Sequence, residues 1–121
     1  MTPEIPSDAV VYKICPRPDW MRAREHGALW PSSDDARDGY IHLSRAAQLS
    51  GTLERHFAQK ADLVLLAVRV GRLPEGMLRW EASRGGQLFP HLYGPLGSAA
   101  VEQVFELPLD PAGRHVLPEG L

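Results

Sequence analysis

One segment constrains the fold more than any other. Leu63 to Val70 reads L-V-L-L-A-V-R-V, apolar at every position except Arg69. A strand with one wet face alternates apolar and polar residues, whereas a run without alternation must be covered on both faces. The segment is therefore predicted as a strand in the middle of a sheet. It is far shorter than the ~20 residues a membrane-spanning helix needs. No basic stretch followed by an apolar one opens the sequence. No membrane partner is expected, and a cytoplasmic location is.

The 121 residues suffice for one ordinary domain with a core of its own, without metals or disulfides. With 11 Gly and 11 Pro, its elements must be short and its turns many. Residues 1–8 read as a disordered or extended entry, with Pro3 and Pro6 blocking regular structure, and residues 9–121 as a single α+β domain. The net charge of -2 lacks the basic excess of a protein that coats nucleic acid. Cys15 is the only cysteine, which excludes an intramolecular disulfide and a Cys-based zinc cluster and fits a reducing compartment.

Along the chain, Val10–Ile14 is a strand candidate. A helix follows from Pro18 to about His26, with Pro18 and Asp19 suited to its first turn and Gly27 to its stop. Trp30 to Asp38 has loop composition. Tyr40–Ser44 is the next strand, with Tyr40, His42 and Ser44 on one face and Ile41 and Leu43 on the other. Ser44 is a candidate N-cap for a helix whose buried face is Ala46, Leu49, Leu53 and Phe57. After the central strand comes the turn Leu73–Gly76. Met77–Ala82 is a strand that turns Leu78, Trp80 and Ala82 one way and Arg79, Glu81 and Ser83 the other. Gly85-Gly86 breaks it, and Gln87–Pro95 reads as a stiff loop. Val101–Leu109 is the last strand, closed by the turn Asp110–Gly113. The order β-α-β-α-β-β-loop-β argues for a mixed α+β domain. Neither GxGxxG nor a Walker loop is present.

Three segments could carry chemistry. D-G-Y-I-H-L-S (38–44) places a histidine in a strand near backbone N–H groups, where it can bind an anion or position a hydroxyl. W-E-A-S (80–83) places a carboxylate beside a tryptophan, suited to a general base or to steadying a developing cation. F-P-H-L-Y-G-P (89–95) holds an imidazole and a phenol between two prolines, a stiff frame for a site. Each also has a structural reading: a half-buried strand histidine, an exposed Glu alternating with a core Trp, and a turn whose aromatics plug the core. His26, His56 and His115 read as surface or capping residues, and Cys15 as small packing. His42, His91 and Glu81 do not have the spacing of a metal-ligand signature, so no metal is expected.

Together, D-G-Y-I-H-L-S, D-L-V-L-L, W-E-A-S and L-F-P-H-L-Y-G-P-L resemble the bacterial domain-of-unknown-function family 952, from about Val11 to Gly113. The resemblance implies an ADP-ribosyltransferase-like fold: two short packed, mostly antiparallel sheets with two helices and a central cleft. By the same analogy His42 would hold a ribose hydroxyl of NAD and Tyr93 would stack on nicotinamide, while a Glu would steady the oxocarbenium-like transition state. In the usual chain order that Glu follows the aromatic, which points to Glu102 or Glu106; Glu81 precedes it. The related RNA 2′-phosphotransferases use several Arg and a His around a phosphate, for which Arg79 and Arg84 are available.

The reading that results is a small-molecule site, nucleotide- or NAD-like in its ligand. His42 and Glu81 are the catalytic candidates, with Tyr40, Ser44, Trp80, Arg84, His91 and Tyr93 lining the ligand. The reaction class, if transfer occurs, is ADP-ribosyl or phosphoryl transfer. The alternatives are a non-catalytic metabolite-binding module and a purely structural role for the His and Tyr motifs.

Overall fold

In the computed structural model, which describes residues 9–121 apart from the Arg84 side chain, the apolar run is a strand, Leu63–Arg69 (β4). It is the middle strand of an antiparallel sheet, between Val10–Pro16 (β1) and Val101–Leu107 (β8). The extended or disordered entry expected at residues 1–8 lies outside the described residues. The two faces of β4 enter different layers. Leu63, Leu65 and Ala67 join Tyr12 and Ile14 against Leu49 and Leu53 of the helix Leu49–His56 (α3). Val64, Leu66 and Val68 join Val11 and Cys15 against Ile41, Leu43 and Leu92. Burying one such side chain contributes roughly 1.5–3 kcal/mol, so this strand anchors both halves of the core.

The residues met by the second face belong to another antiparallel sheet. Its order is Ile41–His42 (β3), Leu88–Leu92 (β6), Leu78–Ala82 (β5). A two-stranded ribbon, Ala28–Leu29 (β2) with Leu96–Gly97 (β7), accompanies them. The helix Arg17–His26 (α1) has Pro18 in its first turn and ends at Gly27 with φ 89°, as its sequence predicts. The expected α+β class with packed antiparallel sheets holds. Its count changes, because the described residues hold three sheets and three α-helices rather than two of each.

Three local expectations are corrected. The stretch read as loop contains the helix Ser33–Asp38 (α2). Its polar residues are caps. Ser32 Oγ accepts from the Asp35 N–H at 3.1 Å, and Asp35 Oδ2 accepts from the Ser32 N–H at 3.2 Å, a reciprocal capping box. The stiff loop around Pro90 is strand β6, in the middle of its sheet. Pro90 is tolerated because its carbonyl faces β3, accepting from the Leu43 N–H at 3.0 Å, where that strand ends and no donor is required of it. Ser44 caps no helix. It exchanges main-chain hydrogen bonds with Tyr12 at 2.8 and 2.9 Å, and the chain enters α3 through a 3₁₀ turn at Ala46–Gln48.

Gly39 ends α2 with φ 88°, and its N–H reaches the Asp35 carbonyl at 2.8 Å. An L side chain in that conformation costs roughly 1–2 kcal/mol. Gly97 has φ −62° and open space around a would-be Cβ. Gly39→Ala should lower the unfolding free energy by roughly 1–2 kcal/mol, whereas Gly97→Ala should leave it unchanged or slightly raised. Urea denaturation of both variants checks this; equal effects would contradict it.

Candidate functional site

The second sheet divides its residues by period two. Ile41, Leu78, Trp80 and Leu92 face the core, and His42, Arg79, Glu81 and His91 stand on the opposite face. His42 and His91 are direct cross-strand partners, and Arg79 is the partner of His91 on its other side. The two imidazole centroids lie 5.7 Å apart with ring planes at 70°. Tyr40 stacks on His91 at 4.0 Å and 18°, and tilts against His42 at 4.8 Å and Tyr93 at 5.3 Å.

Each histidine is held at Nδ1 by its own carboxylate. Asp35 Oδ1 lies 2.5 Å from His42 Nδ1 and also accepts from the His42 main-chain N–H at 3.1 Å. Asp35 Oδ2 accepts from Lys13 Nζ at 3.2 Å, and Lys13 also donates to the His42 carbonyl at 3.3 Å. Burial by itself would push the Asp35 carboxyl up. The His42 ring, the Lys13 ammonium and the N–H groups of His42 and Ser32 reverse this and hold it well below the usual carboxylate range. An ionised carboxylate only accepts, so His42 Nδ1 carries the proton of that bond. His42 Nε2 is the ring nitrogen left for the cleft, with Asp38 Oδ2 at 3.0 Å.

Glu81 Oε1 accepts from the Tyr93 hydroxyl at 2.7 Å and lies 2.9 Å from His91 Nδ1. The Tyr93 bond, then that of His91, lowers the Glu81 carboxyl, and the same carboxylate raises the Tyr93 hydroxyl. The Arg79 guanidinium lies 4.8 Å over the Tyr93 ring. Burial, then the charges of Asp38 and Glu81, raises the Tyr40 hydroxyl.

A cleft of about 270 Å³ lies between the histidine face, α2 and the end of α3, and Glu81, Tyr93 and Arg79 stand outside its lining. His42, His91, Tyr40, Asp35 and Asp38 line it, with Ser44, Thr52 and His56 on the α3 side. Ser44 Oγ is 3.3 Å from Thr52 Oγ1. Gln48 ties α3 to this sheet by donating to the Leu88 carbonyl at 2.9 Å. His42, His91, Tyr40, Glu81 and Tyr93 thus come together, with Ser44 across the cleft. Trp80 does not join them: it packs against the core from the other face of the sheet. The Arg84 side chain lies outside the described residues. Glu102 and Glu106 are on β8, paired with Arg69 and Arg17, away from the histidines. Cys15 is buried, which pushes its thiol up to about 12. Among the described residues no three His, Cys, Asp or Glu side chains converge as a metal site requires, and no helix is long and apolar enough to cross a membrane.

Asp35, Lys13, Asp38 and Thr52 were not anticipated. Asp35 leaves a trace in the sequence, the S-x-x-D spacing from Ser32, and Asp38 opens the D-G-Y-I-H-L-S motif.

The fold and site define a small α+β domain built around a pair of carboxylate-held histidines. Residues 14–104 match the family described as Protein of unknown function (DUF952), and the chain belongs to that family. It is similar to protein CC0527 from Caulobacter crescentus, a structural genomics target. The crystal structure of that protein is 44% identical, with a TM-score of 0.84 over 90% of this chain and 95% of the other. Its solution NMR structure gives 44% identity and a TM-score of 0.80 over 93% and 96% of the two chains. No curated protein matches the chain.

Removing the Asp35 charge leaves the Lys13 ammonium buried without its partner. Breaking such a pair costs about 3–5 kcal/mol. Asp35→Asn should lose stability on that scale in urea, and adding Lys13→Met should recover part of it. A double variant no more stable than Asp35→Asn would contradict the pairing.

The lowered Asp35 carboxyl also fixes the sign of an acid effect. The unfolded chain binds this proton first as pH falls. The stabilisation is complete above the unfolded value near ~4 and is lost progressively below it. From about pH 4 downward, the wild type should lose stability more steeply than Asp35→Asn; parallel curves would refute this.

Proposed function

We propose that the cleft binds a small nucleotide-like ligand and that His42 meets one of its hydroxyl or phosphate oxygens. The observation that carries this reading is the buried Asp35 carboxylate, neutralised by Lys13 and bonded to His42 Nδ1. A carboxylate in that place fixes both tautomer and orientation of the ring, as an imidazole that binds or exchanges a proton at Nε2 requires. Packed antiparallel sheets with a cleft beside one of them are compatible with the ADP-ribosyltransferase-like fold that the sequence motifs imply. A free, buried Cys15 is compatible with a reducing cytoplasm.

Between the two transfer classes, the side chains favour phosphoryl over ADP-ribosyl transfer. Nicotinamide stacking needs an open aromatic face, and Tyr93 has Arg79 over its ring and Tyr40 beside it. Glu81, the acidic residue on the histidine face of the sheet itself, already accepts from Tyr93 and contacts His91 through one oxygen. NAD is therefore the weaker candidate as cofactor. The second reading is a metabolite-binding module without turnover. The Asp38 carboxylate beside His42 Nε2 favours it, because it stands where a reacting group would approach.

Thermal shift with AMP, ADP-ribose and NAD tests the binding claim. A ligand at about 100 times its Kd stabilises by about 2.7 kcal/mol, a shift of several degrees for a domain of this size. The expected result is a shift with an adenine nucleotide in wild type, lost in His42→Ala measured against its own baseline. No shift with any of the three, or an equal shift in His42→Ala, refutes the reading.

A further inference from the structure

We propose that His42 and His91 act together as a general acid and base in hydrolysis of a ribonucleoside cyclic phosphodiester, an inference that rests on the nucleotide reading above and narrows its substrate class. Two imidazoles are direct partners on neighbouring strands and share one cleft. Each is held at Nδ1 by a separate carboxylate from a separate element, Asp35 from α2 and Glu81 from β5. A strand histidine kept only for packing needs no such support, and two of them side by side need it less. The support leaves Nε2 as the functional nitrogen of both rings; at His42 the Asp38 carboxylate, 3.0 Å from it, holds that position until the leaving oxygen takes its place.

For His91 the geometry goes further. The residue is 2% exposed, yet Nε2 has no partner among the described residues. No buried side-chain nitrogen there is left unsatisfied, so Nε2 keeps a trace of exposed surface, and His91 lines the cleft. Its proton sits on Nδ1, facing Glu81, and its lone pair is on Nε2. Displacement at phosphorus needs a proton acceptor for the incoming oxygen and a donor for the leaving one, on opposite sides of one tetrahedral centre. The two rings meet edge-on with centroids 5.7 Å apart, so both imidazoles are within reach of one small group bound in the cleft they line.

The step balances with water alone. His91 Nε2 takes a proton from water as the water oxygen bonds to phosphorus. The bond from phosphorus to one ribose oxygen breaks, and that oxygen takes the proton from Nε2 of His42, which enters the step protonated at both ring nitrogens; His91 leaves it so, and proton exchange with water restores both rings. The product is a ribonucleoside monophosphate, with no redox change. Charged and titratable groups surround the pair. Asp35, Asp38 and Tyr40 face His42, and Lys13 lies on its carbonyl. Glu81, Arg79 and Tyr40 face His91. Lys13 is already paired with Asp35 and Arg37, which also lines the cleft, with Asp34 and Asp38, while the Arg79 guanidinium lies over the Tyr93 ring outside the cleft lining, so proton transfer by the two imidazoles carries the step. Glu81 is on this view a positioning residue for His91 rather than the base itself.

The probe is adenosine 2′,3′-cyclic phosphate, followed by ³¹P NMR. Wild type should convert it to the monophosphate with a bell-shaped pH profile. His42→Ala should lower the rate by roughly a hundred-fold or more, the usual scale for losing a proton-transfer group. His91 is buried, so its replacement risks misfolding; Glu81→Gln, at a half-exposed carboxylate, keeps the ring and removes its orienting charge. That variant should lower kcat with little change in KM and displace the limb of the profile belonging to the base. A cyclic phosphate that raises the melting temperature through His42 but is not consumed overturns the acid–base pair and leaves the binding reading standing. Neither binding nor turnover overturns both. Turnover with an unaltered pH profile in Glu81→Gln overturns the part assigned to His91.

Discussion

The site depends on how one buried carboxylate is satisfied. Asp35 is 2% exposed, and its two oxygens take four contacts. Oδ1 meets the main-chain N–H and the ring of His42; Oδ2 meets the Ser32 N–H and Lys13 Nζ. That is the full acceptor capacity of the group, and it comes from three directions: its own helix, strand β3 and strand β1. Strand β3 is only two residues long. So short a strand has little ladder to hold it. Its place relative to β1 is fixed by Asp35 and Lys13 on one side and by the Tyr12–Ser44 bridge on the other. The orientation of His42 and the closure of the fold at this point are thus one interaction.

The second sheet explains why the chemistry is gathered on one surface. Each of its strands contributes apolar residues to the layer shared with β4 and polar residues to the other side. A one-residue slip in any strand would exchange the two sets and bury a histidine or a glutamate in the core. Register is therefore strongly specified where the site needs it. Gln48 adds a brace from outside the sheet by bonding the Leu88 carbonyl at the start of β6, so that α3, which walls the cleft, moves with the strand that carries His91.

The fold was legible where hydrophobic pattern decides structure. Leu63–Val70 declared a central strand, and alternation sorted Leu78 and Trp80 from Arg79 and Glu81. The same alternation sets His42 and Glu81 on the strand faces they occupy, but it fails where local chemistry or distant partners decide. Ser32 to Asp38 looked like a loop because its residues are those that favour turns, yet the same types cap helices, and six residues carry no readable period. Pro90 argued against a strand, although a proline is harmless where the neighbouring strand stops. Ser44 looked like a cap, and the chain instead used its backbone to bridge to Tyr12. Lys13 is invisible as a site residue from sequence alone, since in β1 it is one polar residue among apolar ones, and its partner is 22 residues away. Alternation sets Trp80 and Glu81 on opposite faces, so Trp80 packs in the core and does not line the ligand as its place in the W-E-A-S motif implies.

Energetics separates a structural from a functional account of the buried charges. Lys13 stands between Val11 and Cys15, on the face of β1 that joins the apolar layer. Replacing an ion pair alone by apolar residues is often neutral or stabilising by about 1–4 kcal/mol, since its desolvation is seldom recovered in full, but Asp35 also accepts from the Ser32 and His42 N–H groups, which an apolar residue would leave unpaired. An apolar pair would fill the space, but it would hold neither the imidazole at Nδ1 nor the two-residue strand that carries it. The pair therefore supplies orientation that packing cannot. Glu81 supplies the same to His91 under different terms. It is half-exposed, so its desolvation costs little, and the rigidity of that ring comes instead from burial and from the stacked face of Tyr40. Two routes to a fixed imidazole, one electrostatic and one by packing, converge on rings only 5.7 Å apart. The apolar face of the sheet would pack without either carboxylate, and Asp35 in addition holds β3 in place, so the contact each makes at Nδ1 supports the reading proposed for Nε2.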